Sequence, residues 1–224
     1  MRELRHVAII PDGNRRYAKR RNIPLSEWYA LGFRKMEEAS RWAAAQGVRE
    51  VSFWALSADN FRKRERAQLG VLFSMMRKYA LSELKENRFN EEGVRVRFFG
   101  KLESLPRELR DALAGIERET RHNKKRAINV LIVYGGRDEL LKAAKGCARD
   151  GKFDEKTFEK HLYLSDSPDL IIRTGNSPRL SGFMPWQSEY SEIYFSKKLW
   201  PEFTKRDFDA AVKFYRKIEK RGGS

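Results

Sequence analysis

Asp12 is an acid set among cations. It stands in Pro11-Asp12-Gly13-Asn14-Arg15-Arg16, directly after an apolar run and where a helix begins. Glycine lets backbone approach a ligand closely. The start of a helix offers unsatisfied N–H groups that favour anions. Arginine forks match phosphate oxygens two at a time. A carboxylate in that company needs something to bind. A magnesium ion bridging Asp12 to a diphosphate satisfies it; a surface turn in which Asp12 caps a helix is the plain alternative.

Three further segments have the same flavour. Ser57-Ala58-Asp59-Asn60-Phe61-Arg62-Lys63-Arg64 follows a second apolar run, although alone it also reads as a basic loop capping a helix. Arg173-Thr174-Gly175 and Pro178-Arg179-Leu180-Ser181 set two arginines and a serine around a glycine, a second anion cradle. Glu192 closes Trp186-Gln187-Ser188-Glu189-Tyr190-Ser191-Glu192 and opens an apolar stretch. A carboxylate there needs either a metal or a neighbouring arginine. His6, His122 and His161 are isolated and read as structural or surface groups. The chain has no Walker A sequence, no G-x-G-x-x-G and no G-x-S-x-G. That argues against nucleotide hydrolysis, a Rossmann cofactor and a serine nucleophile.

These segments must be positioned by the elements between them. Short apolar runs predict strands at His6–Ile10, Val51–Ala55, Val94–Phe99, Ala127–Val133, Leu170–Arg173 and Glu192–Phe195. Helical patterns fill the gaps at Asn14–Arg21, Ser26–Gln46, Arg66–Asn87, after Pro106, Asp138–Asp150 and Asp154–His161. In the long third pattern Leu69, Leu72, Phe73, Met76, Ala80 and Leu84 share one face. Thr204 is placed to cap a last helix whose inner stripe is Phe208, Ala211, Val212, Tyr215 and Ile218, and Arg221–Ser224 is expected to fray. Alternation of strand and helix without hairpin turns predicts an α/β fold. It is a single domain with a central, mainly parallel sheet and helices on both faces. Such sheets bind ligands at the carboxyl ends of their strands, where the chemistry-bearing segments fall.

Length and composition agree. The 224 residues suit one domain with an adequate core. A single cysteine, Cys147, excludes an internal disulfide framework and fits a reducing compartment. No apolar run approaches the roughly 18 residues needed to span a bilayer, and the opening residues lack a signal-peptide pattern, so the expected location is the cytoplasm. The formal net charge of +16 implies an anionic partner: nucleic acid, lipid headgroups or diphosphates. Lys and Arg are spread along the chain and mixed with acids, and no nucleic-acid-binding signature appears, so nucleic acid is not the expected partner.

In order along the chain, six segments resemble the hallmarks of the cis-prenyltransferases, the undecaprenyl and dehydrodolichyl diphosphate synthase family. They are His6-Val-Ala-Ile-Ile-Pro-Asp-Gly-Asn-Arg-Arg-Tyr-Ala-Lys19, Ser57-Ala-Asp-Asn60, Val133-Tyr-Gly-Gly-Arg137, Asp169-Leu-Ile-Ile-Arg-Thr-Gly175, Arg179-Leu-Ser181 and Trp186-Gln-Ser-Glu-Tyr-Ser-Glu192. The resemblance runs from His6 to about Phe203.

It implies that two substrates, isopentenyl diphosphate and an allylic prenyl diphosphate, are joined with Mg2+ into a longer polyprenyl diphosphate. Asp12 would handle magnesium, with Glu192 as a second acid near the metal. Gly13, Asn14, Arg15 and Arg16 would grip the allylic diphosphate, with Tyr17 and Tyr29 beside it. Ser57 and Asn60 would serve catalysis, Asn60 in proton removal, among Ala58, Asp59, Phe61 and Lys63. Arg173, Arg179, Leu180 and Ser181 would hold isopentenyl diphosphate. The family's fold has a hydrophobic tunnel for the growing chain, for which Met36, Phe73, Met76 and Leu131 are candidate liners, and its members usually form homodimers. A basic surface favours peripheral contact with an anionic membrane, where the product must go.

The chain also departs from the family pattern. Pro11 replaces a common methionine, Leu25 an arginine, Tyr29 a histidine, Phe61 a tryptophan, Leu56 a phenylalanine and Lys63 an arginine. Ser177 and Pro178 replace polar or ionisable residues. The departures leave open an altered allylic partner, head-to-middle joining, or the role of a non-catalytic subunit in a heteromer.

Overall fold

The computed structural model describes residues 3–218; the fraying expected of Arg221–Ser224 lies outside the described residues. The elements run β1 (His6–Ile10), α1 (Asn14–Arg21), α2 (Leu25–Ala45), β2 (Glu50–Ser57), α3 (Ala58–Lys63), α4 (Arg66–Glu86), α5 (Arg88–Glu91), β3 (Val94–Phe99), α6 (Arg107–Thr120), β4 (Arg126–Tyr134), α7 (Gly136–Asp150), α8 (Glu155–His161), β5 (Leu170–Arg173), β6 (Glu192–Phe195) and α9 (Lys205–Lys217). The six strands form one sheet in the order β3-β4-β2-β1-β5-β6, and every pairing is parallel.

The central strands are buried on both faces, which is why His6–Ile10 reads as unbroken apolar sequence rather than alternation. On one face α2, α4 and α6 pack against β2, β3 and β4, while α9 packs with α2 below β1 and β5. The other face carries Ala8, Ile10, Leu131, Tyr134 and Ile171 under Phe183 and Met184.

Helix ends follow local chemistry. Thr204 and Asp207 exchange hydrogen bonds in a capping box at the start of α9, as expected of Thr204. The stripe of α9 is buried at Phe208, Ala211, Val212 and Tyr215, while Ile218 lies just past the helix. Asp169 Oδ2 accepts from the backbone N–H groups of Arg5 and His6, at 2.7 and 2.9 Å, and so ties β5 to the start of β1. His6 lies within the sheet with Nε2 2.7 Å from Ser52 Oγ, and His161 meets Asp150 at 2.7 Å. Both are structural groups.

Two expectations about the core need correction. Leu131 does not lie on the α2–α4 side; it packs on the opposite face with Ala8 and Ile10. A strand buried on both sides gives no alternation to say which way each residue faces. Residues 58–63, read as loop, form the short helix α3, too brief for a 3.6-residue period to register.

Candidate active site

β2, β1 and β5 are neighbours at the centre of the sheet and run in the same direction. Their carboxyl ends therefore bring Ser57, Asp12 and Arg173 to one rim, as expected of a parallel sheet.

Asp12 is the hub. Its Oδ2 accepts from Arg173 Nη2 at 2.9 Å and its Oδ1 from Arg16 Nη2 at 3.3 Å. Arg173 is 5% exposed, and its other arm donates to the backbone oxygen of Arg179 at 2.5 Å and to Ser181 Oγ at 2.8 Å. Arg16 also donates to the Gly175 oxygen at 2.7 Å. The Asp12 backbone oxygen accepts from Thr174 Oγ1 and from the N–H of Trp200. Burial by itself works to raise the Asp12 pKa. The hydrogen bond and charge of Arg173, then the charge of Arg16, outweigh it and hold the carboxyl below its ordinary range. Gly13 and Gly175 make the close approach possible. Both have positive φ, +104° and +86°, and a Cβ on Gly175 would stand 2.5 Å from Arg16 Nη2.

Gly13 caps α1 in the left-handed conformation, so the first turn of Asn14, Arg15 and Arg16 directs its backbone N–H groups to the rim. Asn14 Nδ2 donates to the Pro11 oxygen at 2.8 Å, which leaves the buried Asn14 Oδ1 without a partner. Arg15 is exposed and Tyr17 half-buried beside Arg20 and Arg21.

The second segment is built by a cap. Ser57 Oγ accepts from the backbone N–H of Asn60 at 3.0 Å, which starts α3 and fixes Asn60 over the end of β2. Ala58 is buried under this turn, Asp59 pairs with Arg62, Phe61 meets the Phe73 ring at 6.3 Å, and Lys63 is exposed. Tyr29, 6% exposed, donates to the Gln68 oxygen at 3.4 Å and lies under Arg64. Arg64 was not singled out in the sequence. Burial pulls its pKa down, and the charge of Arg15 pulls the same way, so it adds a desolvated cation to this rim. The basic run 62–64 was the available signal.

Glu192 lies elsewhere. The register pairs Glu192 with Leu170 and Phe195 with Arg173, so this acid enters at the opposite end of its strand from Asp12. Among the described residues no three His, Cys, Asp or Glu side chains converge as a metal cage. Asp12 is the carboxylate that Arg16 and Arg173 grip at the rim.

A buried network ties Met184 and Gln187, which follow the Arg179–Ser181 loop, to β4 and α7. Glu139, fully buried, accepts from the Tyr134 hydroxyl, the Tyr163 N–H at 3.0 Å and Gln187 Nε2 at 3.2 Å. Tyr134 in turn accepts from the Met184 N–H at 3.2 Å. Burial and the adjoining Glu139 push the Tyr134 hydroxyl far up, so it stays a donor. The helical pattern of 138–150 hid this acid among exposed ones.

An apolar cavity of about 180 Å3 lies between α2, α4 and the sheet. Its near end reaches Phe33 and Ala55, two residues before Ser57. Met36 and Met76 line it as expected; Phe73 packs instead toward Phe61, outside the lining.

The family model described as "Putative undecaprenyl diphosphate synthase" matches residues 10–223. The chain is 39% identical to a tritrans,polycis-undecaprenyl-diphosphate synthase (geranylgeranyl-diphosphate specific) of Thermoplasma volcanium, over 98% of this chain and 88% of that protein. It is 38% identical to an isoprenyl transferase of Thermotoga maritima, over 100% and 98% of the two chains. The crystal structure of lavandulyl diphosphate synthase from Lavandula x intermedia, in complex with dimethylallyl diphosphate, superposes with a TM-score of 0.91 at 31% identity, covering 99% of this chain and 98% of that one. With six parallel strands, one rim where arginines converge on Asp12 and these relatives along its whole length, the chain belongs to the undecaprenyl diphosphate synthase family of cis-prenyltransferases.

Proposed function

We propose that this chain transfers an allylic prenyl group from its diphosphate onto isopentenyl diphosphate, in cis, to make a longer polyprenyl diphosphate. The observation that carries this reading is the rim cluster of Asp12, Arg16, Arg173 and Ser181 beside an apolar cavity. A diphosphate leaving group and a hydrocarbon chain need those two environments side by side.

The α1 start at Gly13–Arg16 takes the allylic diphosphate. Its N–H groups and guanidinium forks stabilise the charge that grows as the C–O bond breaks. Arg173, Arg179 and Ser181 hold isopentenyl diphosphate, whose double bond then attacks the allylic carbon. Asn60, anchored through Ser57, orders the site where the proton is lost. Holding both substrates in line contributes several kcal/mol to lowering the barrier.

A magnesium ion fits Asp12, because this metal is commonly bound by one carboxylate plus substrate phosphates and water. It would neutralise phosphate charge in the transition state. Glu192, at the far end of its strand, joins such a site only through a further chain or a rearrangement.

The Thermoplasma relative's name makes geranylgeranyl diphosphate the first allylic partner to try. The test mixes purified chain, magnesium and labelled isopentenyl diphosphate with dimethylallyl, farnesyl or geranylgeranyl diphosphate, and weighs the products. Longer prenyl diphosphates, lost on chelation of magnesium, are expected; no product with any partner overturns the reading. The product masses and fragmentation also separate linear extension from head-to-middle joining. A cytoplasmic homodimer touching anionic membrane fits the family and the +16 charge. Light scattering and pelleting with anionic or neutral vesicles test those two points. Among the described residues no helix is long and apolar enough to cross a membrane.

A further inference from the structure

Several arginines of α1, α3 and β5 have an acid. Arg16 and Arg173 grip Asp12, Arg20 pairs with Glu202 and Arg62 with Asp59. Arg64, half-buried at the end of α3, has none among the described residues. Its guanidinium lies 6.0 Å from the centroids of both the Trp28 and Tyr29 rings, which stack on each other at 4.7 Å. Nη1 stands 3.5 Å from the Tyr29 hydroxyl. The rest of the fork makes no hydrogen bond among the described residues, yet it is not sealed inside. The neighbouring cation that acts on it is Arg15. Ring faces offset part of the cost of drying a guanidinium. Two like charges on one partly dry space still call for an anion between them.

The geometry of α1 places that anion. Successive side chains on a helix diverge by about 100°. Arg16 turns to Asp12 and the Gly175 oxygen, while Arg15 serves the Arg64 side. Between them lie the open N–H groups of the α1 start. Two cationic seats thus flank one set of donors. That span suits two linked phosphates and leaves a single phosphate in touch with one seat. Arg64 lies outside the six hallmark segments. Among the positions that depart from the resemblance, Leu25 and Tyr29 bring no charge here and Lys63 is exposed.

We propose that Arg64 and Arg15 form a second phosphate seat beside the α1 start, through which the site selects an allylic diphosphate over the corresponding monophosphate. The inference rests on the transferase reading for the identity of the allylic substrate.

The experiment titrates wild type, Arg64→Gln and Arg64→Lys with geranylgeranyl diphosphate and geranylgeranyl monophosphate by calorimetry, with chelator present and no isopentenyl diphosphate. Melting temperatures, and KM for both substrates, are measured alongside. Arg64→Gln should weaken the diphosphate about 10–100-fold, the scale of a charge-assisted hydrogen bond, and the monophosphate far less. KM for geranylgeranyl diphosphate should rise in step, while KM for isopentenyl diphosphate holds. Arg64→Lys keeps the charge without the fork and should fall between. Equal weakening of the two ligands, or of neither, overturns the seat; equal weakening with a lowered melting temperature assigns Arg64 to packing on Trp28 and Tyr29 alone. Should Arg64→Gln fail to fold, Arg15→Gln, at the exposed member, decides by the same comparison. The two readings fail separately. Product formation, with an Arg64→Gln variant that binds both ligands as wild type does, keeps the transferase reading and overturns the seat. No product from a wild type whose diphosphate preference depends on Arg64 sinks the transferase reading and leaves the seat standing.

Discussion

Arg173 Nη2 sits 2.9 Å from Asp12 Oδ2, and Arg173 is almost wholly buried while doing so. The acid's ionised form is therefore stabilised in the folded protein. Its folded pKa is depressed, so this contribution is complete above the unfolded value, ~3.9, and is lost as pH falls through the lower folded value. Replacing Arg173 by Met removes the largest lowering influence and leaves burial opposed by Arg16. Carboxyl NMR of labelled aspartate should show Asp12 titrating higher in Arg173→Met than in wild type. An unmoved titration would mean that the pair is not formed in solution.

Asp12→Asn keeps the shape of the side chain and removes its charge. The proposed magnesium and diphosphate handling then loses the carboxylate that Arg16 and Arg173 hold. A fall in kcat/KM of about 10²–10³-fold is expected, the scale seen when one preorganised charge-stabilising group is deleted. Steady-state kinetics across a magnesium titration checks it; activity within a few fold of wild type at all concentrations would remove Asp12 from the chemistry.

Ser57 acts through a cap. Ser57→Ala deletes the acceptor for the Asn60 N–H and should cost about 1 kcal/mol of stability. Ser57→Asp restores a capping oxygen and should recover the melting temperature. If Ser57 serves catalysis only by holding Asn60, kcat should recover along with it. A stable but inactive Ser57→Asp would assign the hydroxyl a direct role.

Gly175 is strained ground for any side chain. Gly175→Ala meets both a φ of +86° and the Arg16 guanidinium, so a loss of about 1–3 kcal/mol is expected. Because Arg16 donates to the Gly175 oxygen, KM for the allylic diphosphate should rise as well. Urea denaturation and initial rates read the two effects separately.

Glu139→Ala strands the Tyr134 hydroxyl, the Tyr163 N–H and the Gln187 amide in the interior. At about 1–3 kcal/mol for each unsatisfied group, this should be the most destabilising of these changes. Thermal unfolding measures it, and a mild effect would show that water replaces the carboxylate.

How far sequence reaches is clear from these residues. The strand His6–Ile10 and the rim position of Asp12 were legible because an apolar run ending in Pro-Asp-Gly has few other readings. The meeting of Arg173 with Asp12 followed once both lay at the ends of parallel strands. Glu139 was not legible, since its partners come from distant segments and a helical period reads an acid as solvent-facing. The orientation of Leu131 was hidden by burial on both faces of β4. For Glu192 the residues left a metal or an arginine open and the resemblance chose the metal; strand register puts it at the other end of β6 from the rim.

Asp12 and Arg173 are 161 residues apart along the chain, and they meet because β1 is completed by β5. During synthesis the first three-quarters of the polypeptide would leave the ribosome with one flank of its first strand open. Closing so distant a pairing is slow, because the loop entropy is lost before the contact rewards it. The nascent chain would therefore be inert and sticky until its last quarter emerges, so any engineered split between α7 and β5 must bring its halves together quickly to escape aggregation.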